Sequence, residues 1–145
     1  MSELKRYQMY IDGEWTDAEN GATFTSVNPA TGETWAEVPE ASESDVNRAV
    51  EAAHRAFKEG PWSKLTPTAR GKMLRRLADV LATHSETLGR CETIDTGKLF
   101  KETRWQANYI SDFFHYYAGL ADKISGETLP IDKPDMMTIT LREPL

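Results

Sequence analysis

A single cysteine, Cys91, stands in the 145 residues, so no internal disulfide forms and a zinc site built on thiolates is excluded. No stretch approaches the ~20 consecutive apolar residues that span a bilayer. The opening Met1-Ser2-Glu3-Leu4-Lys5-Arg6 lacks the apolar core and cleavage site of a secretory leader. With the lone thiol, these absences lead to the expectation of a soluble protein in the reducing cytoplasm. Blocks of like charge are missing as well: 28% of the residues are charged, with a net charge of -6, and both signs are interspersed. Neither nucleic acid nor a membrane is therefore expected as a partner. There is no G-x-G-x-x-G after a strand, no P-loop, no G-x-S-x-G elbow and no H-E-x-x-H. Motifs thus assign no catalytic and no cofactor-binding residue.

What is present suffices for one core, since a domain of about 150 residues buries roughly 68–70% of its unfolded surface. Met9 to Trp15 reads as a hairpin turning at Asp12-Gly13, a pair suited to the positive φ values of a type I′ turn. Phe24 to Asn28 and Thr34 to Val38 make a second strand pair across Pro29-Ala30-Thr31-Gly32. A helix follows Ser42 or Ser44, with Val46, Ala49, Val50, Ala53 and Phe57 as its buried stripe, and Gly60-Pro61 ends it. Thr66-Pro67 opens the next, where Met73, Leu74, Leu77, Val80 and Leu81 face the core while Arg70, Lys72, Arg75 and Arg76 face water. Ser85 is expected to cap a shorter helix that Gly97 terminates, and a long aromatic helix is predicted from Phe100 to Ile124. Strands at Glu127 to Ile131 and Met137 to Leu141 close the pattern. The fold class is α/β.

Few side chains suggest chemistry. His54, His84 and His115 lie far apart and read as surface histidines. Cys91 could be a nucleophile in principle, but its place on one face with Leu88 and Ile94, beside the negative Glu92, argues for packing. Glu92 and Asp95 could offer oxygens to a cation, although carboxylates near a helix end are usually solvated. Trp105, Tyr109, Phe113, Phe114, Tyr116 and Tyr117 could line an apolar pocket, although aromatics at helical spacing are more often core.

A set of words along the chain carries more. They are Tyr10-Ile11-Asp12-Gly13-Glu14-Trp15, Val27-Asn28-Pro29-Ala30-Thr31-Gly32-Glu33, Asp45 to Phe57, Glu92-Thr93-Ile94-Asp95-Thr96-Gly97-Lys98, Tyr116-Tyr117-Ala118-Gly119 and Leu141-Arg142-Glu143-Pro144-Leu145. In this order and spacing the sequence resembles the N-terminal segment of an NAD(P)-dependent aldehyde dehydrogenase.

The resemblance implies the N-terminal part of that fold: short β-hairpins plus helices over 1–126, contributing to the coenzyme-binding scaffold, then the start of a protruding oligomerisation β-arm over 127–145. It implies oxidation of a small-molecule aldehyde to a carboxylic acid through a cysteine thiohemiacetal, with NAD or NADP. The nucleophile, general base and oxyanion donors are expected beyond residue 145, so this chain alone is expected to be inactive. It also implies a homo-oligomer built through 127–145. Ser26 and Val27, through backbone carbonyls, and Asp95, through its carboxylate, match the positions that hold a monovalent cation in some relatives. Trp105 and Tyr109 match positions that relatives place at the mouth of the aldehyde channel. The competing expectations are a non-catalytic scaffold or assembly module derived from that fold, and an independent enzyme using Cys91.

Overall fold

The computed structural model describes residues 4–144; Met1 to Glu3, read above for a leader, and the final Leu145 lie outside the described residues. The chain opens with β1 (Lys5–Arg6), β2 (Met9–Ile11) and β3 (Glu14–Thr16). β2 and β3 pair antiparallel, and Asp12 and Gly13 take φ of 54° and 88°, as the Asp-Gly turn predicts. Tyr10 faces Trp15 across the pair with ring centroids 4.9 Å apart.

β4 (Thr23–Val27) and β5 (Thr34–Pro39) form the second pair. Asn28 shapes the intervening turn: its carbonyl accepts from Gly32 N–H at 2.8 Å and its side-chain oxygen from Ala30 N–H at 2.9 Å. The register is irregular. Ser26 faces Ala36 and Val27 faces Thr34, so Trp35 has no partner of its own and forms a bulge. β1, which has no strand signal in the sequence, adds in parallel to the other edge of β5, giving the order β1-β5-β4.

α1 (Glu43–Glu59) settles the choice of cap in favour of Ser42, whose hydroxyl accepts from Asp45 N–H while Asp45 reaches back to the Ser42 backbone. Asp45 does more than complement the helix dipole. Its fully buried carboxylate accepts from Ser42 N–H at 2.9 Å and from Glu19 N–H at 3.1 Å, and it meets Arg48 at 2.6 Å. Those backbone donors, Ser42 first and Glu19 next, hold its carboxyl well below the usual carboxylate range. The loop before β4 is thereby tied to the start of α1.

A short helix, α2 (Pro61–Lys64), fills the gap after Gly60 where the sequence predicted only a stop. α3 (Pro67–Thr83) begins as expected, with the Thr66 hydroxyl accepting from Ala69 N–H. α4 (Ser85–Thr96) does not use Ser85 as its cap. His84 N–H still bonds to Val80 O, so α3 runs directly into α4 and leaves no extended residue for a capping side chain. Gly97 ends α4 at φ 75°. α5 (Phe100–Leu120) stops before Ile124, because Lys123 N–H bonds to Leu120 O and closes a turn in place of another helical step.

The helices meet through small residues. α5 packs on α3 and α4 with Gly71, Ala78, Gly89, Thr103, Ala107, Ser111 and Ala118 buried. A Cβ at Gly71 would lie 2.7 Å from Ala118 O, and one at Gly89 would lie 2.7 Å from Arg104 Cα. The buried Thr103 hydroxyl donates to Gly89 O at 2.9 Å.

The expected large apolar stripes exist but are not buried. Val50 of α1 is 60% exposed and Met73 of α3 is 53% exposed, with Val46, Phe57, Leu77 and Val80 also open. Their helical spacing was read correctly, but periodicity does not supply the surface that covers a stripe. β6 (Thr128–Leu129) and β7 (Thr138–Ile139) pair antiparallel and are shorter than the predicted strands. Pro130 has no N–H for the ladder and follows β6 directly. No helix among the described residues is long and apolar enough to cross a membrane.

Candidate functional site

Two regions collect the residues singled out in the sequence. The first is a groove of 710 Å³ lined by β4, β5, α4 and neighbouring residues, among them Tyr7, Ser26, Trp35, Cys91, Glu92 and Asp95. Ser26 and Asp95, separated by 69 positions, meet here: the Ser26 hydroxyl donates to Asp95 Oδ1 at 2.6 Å. Trp35 Nε1–H donates to the same Ser26 oxygen at 3.1 Å. The Tyr7 ring stands edge-on to Trp35 with centroids 6.0 Å apart, and its hydroxyl lies 3.8 Å from Cys91 Sγ.

Glu92, considered with Asp95 as a cation ligand, pairs instead with Lys98 at 2.6 Å. That leaves Asp95 as the carboxylate beside Ser26, with Val27 next along the same strand. Oxygens from one carboxylate and neighbouring strand positions suit a hard monovalent cation better than a soft or highly charged one. Among the described residues, no group of three or more His, Cys, Asp or Glu gathers to hold a metal. The three histidines stay apart. His84 contacts Val80 O, and His115 lies 3.3 Å from Asp79 across α5 and α3.

The second region is the outer face of α5. Trp105 and Tyr109, one turn apart, stack with centroids 4.9 Å apart at an interplanar angle of 12°, and Tyr109 meets Phe113 edge-on at 5.1 Å. Both expected channel residues are open, Trp105 at 60% and Tyr109 at 43% exposure. Trp105, Tyr109, Phe113, Tyr116 and Tyr117 therefore form a surface stripe, while Phe114 is half-buried. Tyr109, Asp112, Phe113, Tyr116 and Tyr117 line a shallow cleft of 350 Å³.

Sequence reading missed Trp35 and Tyr7. A half-buried tryptophan needs an acceptor for its indole N–H, but both the half-burial of Trp35 and the bulge beside its acceptor come from strand pairing, which alternation does not reveal.

Comparison with known proteins places these features in context. The sequence profile of the Aldehyde dehydrogenase family matches residues 15–145. A (Z)-2-((N-methylformamido)methylene)-5-hydroxybutyrolactone dehydrogenase from Acinetobacter baylyi is 49% identical over 142 residues, covering 98% of this chain and 29% of the relative. Aldehyde dehydrogenase 1 from Tanacetum cinerariifolium is 42% identical over 144 residues, covering 99% of this chain and again 29% of the relative. An NAD-dependent aldehyde dehydrogenase from Sinorhizobium meliloti superposes with a TM-score of 0.89 at 35% identity, covering 98% of this chain and 28% of that one. A betaine aldehyde dehydrogenase from Staphylococcus aureus in complex with NAD+ gives a TM-score of 0.82 at 42% identity, covering 90% of this chain and 26% of its own. The chain thus spans less than a third of the length of these relatives.

Proposed function

The chain belongs to the aldehyde dehydrogenase family, and from that premise we propose that it forms the scaffold end of an enzyme oxidising an aldehyde to a carboxylic acid with NAD or NADP. The observation that carries this reading is the match along residues 15–145, joined to a superposition that covers 98% of the chain. The Sinorhizobium meliloti relative, named as NAD-dependent, and the Staphylococcus aureus relative, bound to NAD+, favour NAD. No G-x-G-x-x-G follows a strand here, so no residue of this chain is proposed to hold the nucleotide. No chemical step is therefore assigned to this chain. The nucleophilic cysteine, base and oxyanion donors belong to the family's remaining length.

Within that enzyme, residues 1–126 form the scaffold and residues 127–145 the arm that pairs with a second copy. The open edges of the two-stranded ribbon β6–β7 support the arm, because unpaired backbone groups invite another strand. Ser26, Val27 and Asp95 hold a monovalent cation, supported by the meeting of Ser26 with Asp95. Trp105 and Tyr109 stand at the mouth of the aldehyde channel, supported by their exposed, stacked rings.

A chimera tests the reading: residues 1–145 replace the matching portion of the Acinetobacter baylyi relative, and reduction of NAD and NADP is followed with a panel of aldehydes. Aldehyde-dependent NADH or NADPH formation is expected. A folded chimera without it would sink the proposal and leave the scaffold-module alternative.

A further inference from the structure

We propose that Trp35 is a positioning residue for the cation site, acting through the Ser26 hydroxyl on the Asp95 carboxylate; this rests on the reading of Ser26, Val27 and Asp95 as cation ligands. The indole N–H is a donor only. By occupying a lone pair of Ser26 Oγ at 3.1 Å it leaves the single hydroxyl proton to point at Asp95 Oδ1, 2.6 Å away. One carboxylate oxygen is thus fixed against the Ser26 hydroxyl of β4.

The bulge is what makes this possible. In regular antiparallel pairing Trp35 would face a β4 residue of its own, but the shift between Ser26 and Val27 leaves it unpartnered, and bulges re-aim the side chains they carry. The Tyr7 ring, edge-on at 6.0 Å, packs against the indole. Trp35 itself is no ligand, because it has no oxygen to offer a hard cation.

The test uses the 145-residue chain at one fixed protein concentration and measures its thermal midpoint across a potassium chloride titration balanced with N-methylglucamine chloride to constant ionic strength, and in sodium chloride. Trp35→Phe keeps a ring against Tyr7 and deletes only the N–H donor together with part of the indole. It is expected to raise the half-saturating potassium concentration about two- to tenfold, the range set by losing one hydrogen bond. Ser26→Ala keeps the backbone carbonyl and should give a similar shift, which guards against a Trp35→Phe protein that fails to fold.

A double-mutant cycle joining Trp35→Phe with Asp95→Ala, run in N-methylglucamine, reads the link without any cation bound. Non-additive unfolding constants are expected, although the two side chains communicate only through Ser26. An unchanged potassium response in both Trp35→Phe and Ser26→Ala, with additive effects in the cycle, overturns the role of Trp35 and leaves the cation reading standing. Identical midpoints of the unaltered chain in all three salts overturn the cation reading, and this proposal with it.

Discussion

Gly89→Ala is the sharpest probe of how the helices are held together. A helix-interior glycine replaced by alanine gains about 1 kcal/mol of propensity. At Gly89 the new Cβ would stand 2.7 Å from both Arg104 Cα and Arg104 N, which are backbone of α5 and do not swing aside. Pushing α5 away costs about 1–3 kcal/mol for an overpacked contact. It also stretches the buried Thr103–Gly89 hydrogen bond of 2.9 Å, worth about 1 kcal/mol. The net effect is a loss of about 1–3 kcal/mol after the propensity gain. Each kcal/mol lowers the melting midpoint by about 2–4 °C for a chain approaching 150 residues. Gly119→Ala is the control, because a Cβ there meets nothing within 4 Å, and it should be neutral or stabilising by up to about 1 kcal/mol. Urea unfolding followed by far-UV circular dichroism at fixed protein concentration separates the two. A Gly89→Ala protein as stable as the unaltered chain, or a Gly119→Ala protein losing as much, would refute the close-contact argument.

Asp45 ties the loop before β4 to α1, and its folded-state carboxyl is more acidic than the unfolded one, so the stability it adds is present above the unfolded value and fades as pH falls toward strong acid. Urea midpoints measured between about pH 5 and pH 3 should fall with pH in the unaltered chain and fall less steeply in Asp45→Asn; equal slopes would remove Asp45 as the cause. In the active chimera, Tyr109→Ala should change the apparent KM several-fold for bulky aldehydes and little for small ones, and unchanged kinetics across the panel would take Tyr109 out of the channel. The 145-residue chain on its own should self-associate through the open apolar faces of α1 and α3. Light scattering that finds a monodisperse monomer would contradict this.

Much of the local structure was legible because its causes are local. Asp12-Gly13 asks for positive φ, Thr66-Pro67 starts a helix and Gly97 stops one, and each acts where the sequence places it. What depends on distant chain was not legible. β1 is a strand only because β5 lies alongside, the second role of Asp45 needs Glu19 from another loop, and Ser85 lost its cap because α3 had not finished. In α3 the buried positions are Gly71 and Ala78, which a search for large apolar residues passes over, while Met73, Leu77 and Val80 of the predicted stripe lie open. The candidate site divides in the same way: Ser26 and Asp95 were paired by family resemblance and not by spacing, whereas Trp35 became visible only through the bulge.

The parallel pairing of β1 with β5 also orders events in time. The β2–β3 hairpin can close as soon as its few residues are made, but Lys5 must wait for Ala36. At the usual pace of translation that separation of about thirty residues amounts to a delay on the order of a few seconds. Throughout it β1 is an unpaired strand beside a finished hairpin. β1, made before the hairpin, is therefore secured after it, and a chaperone or protease meeting the emerging chain would find that strand free.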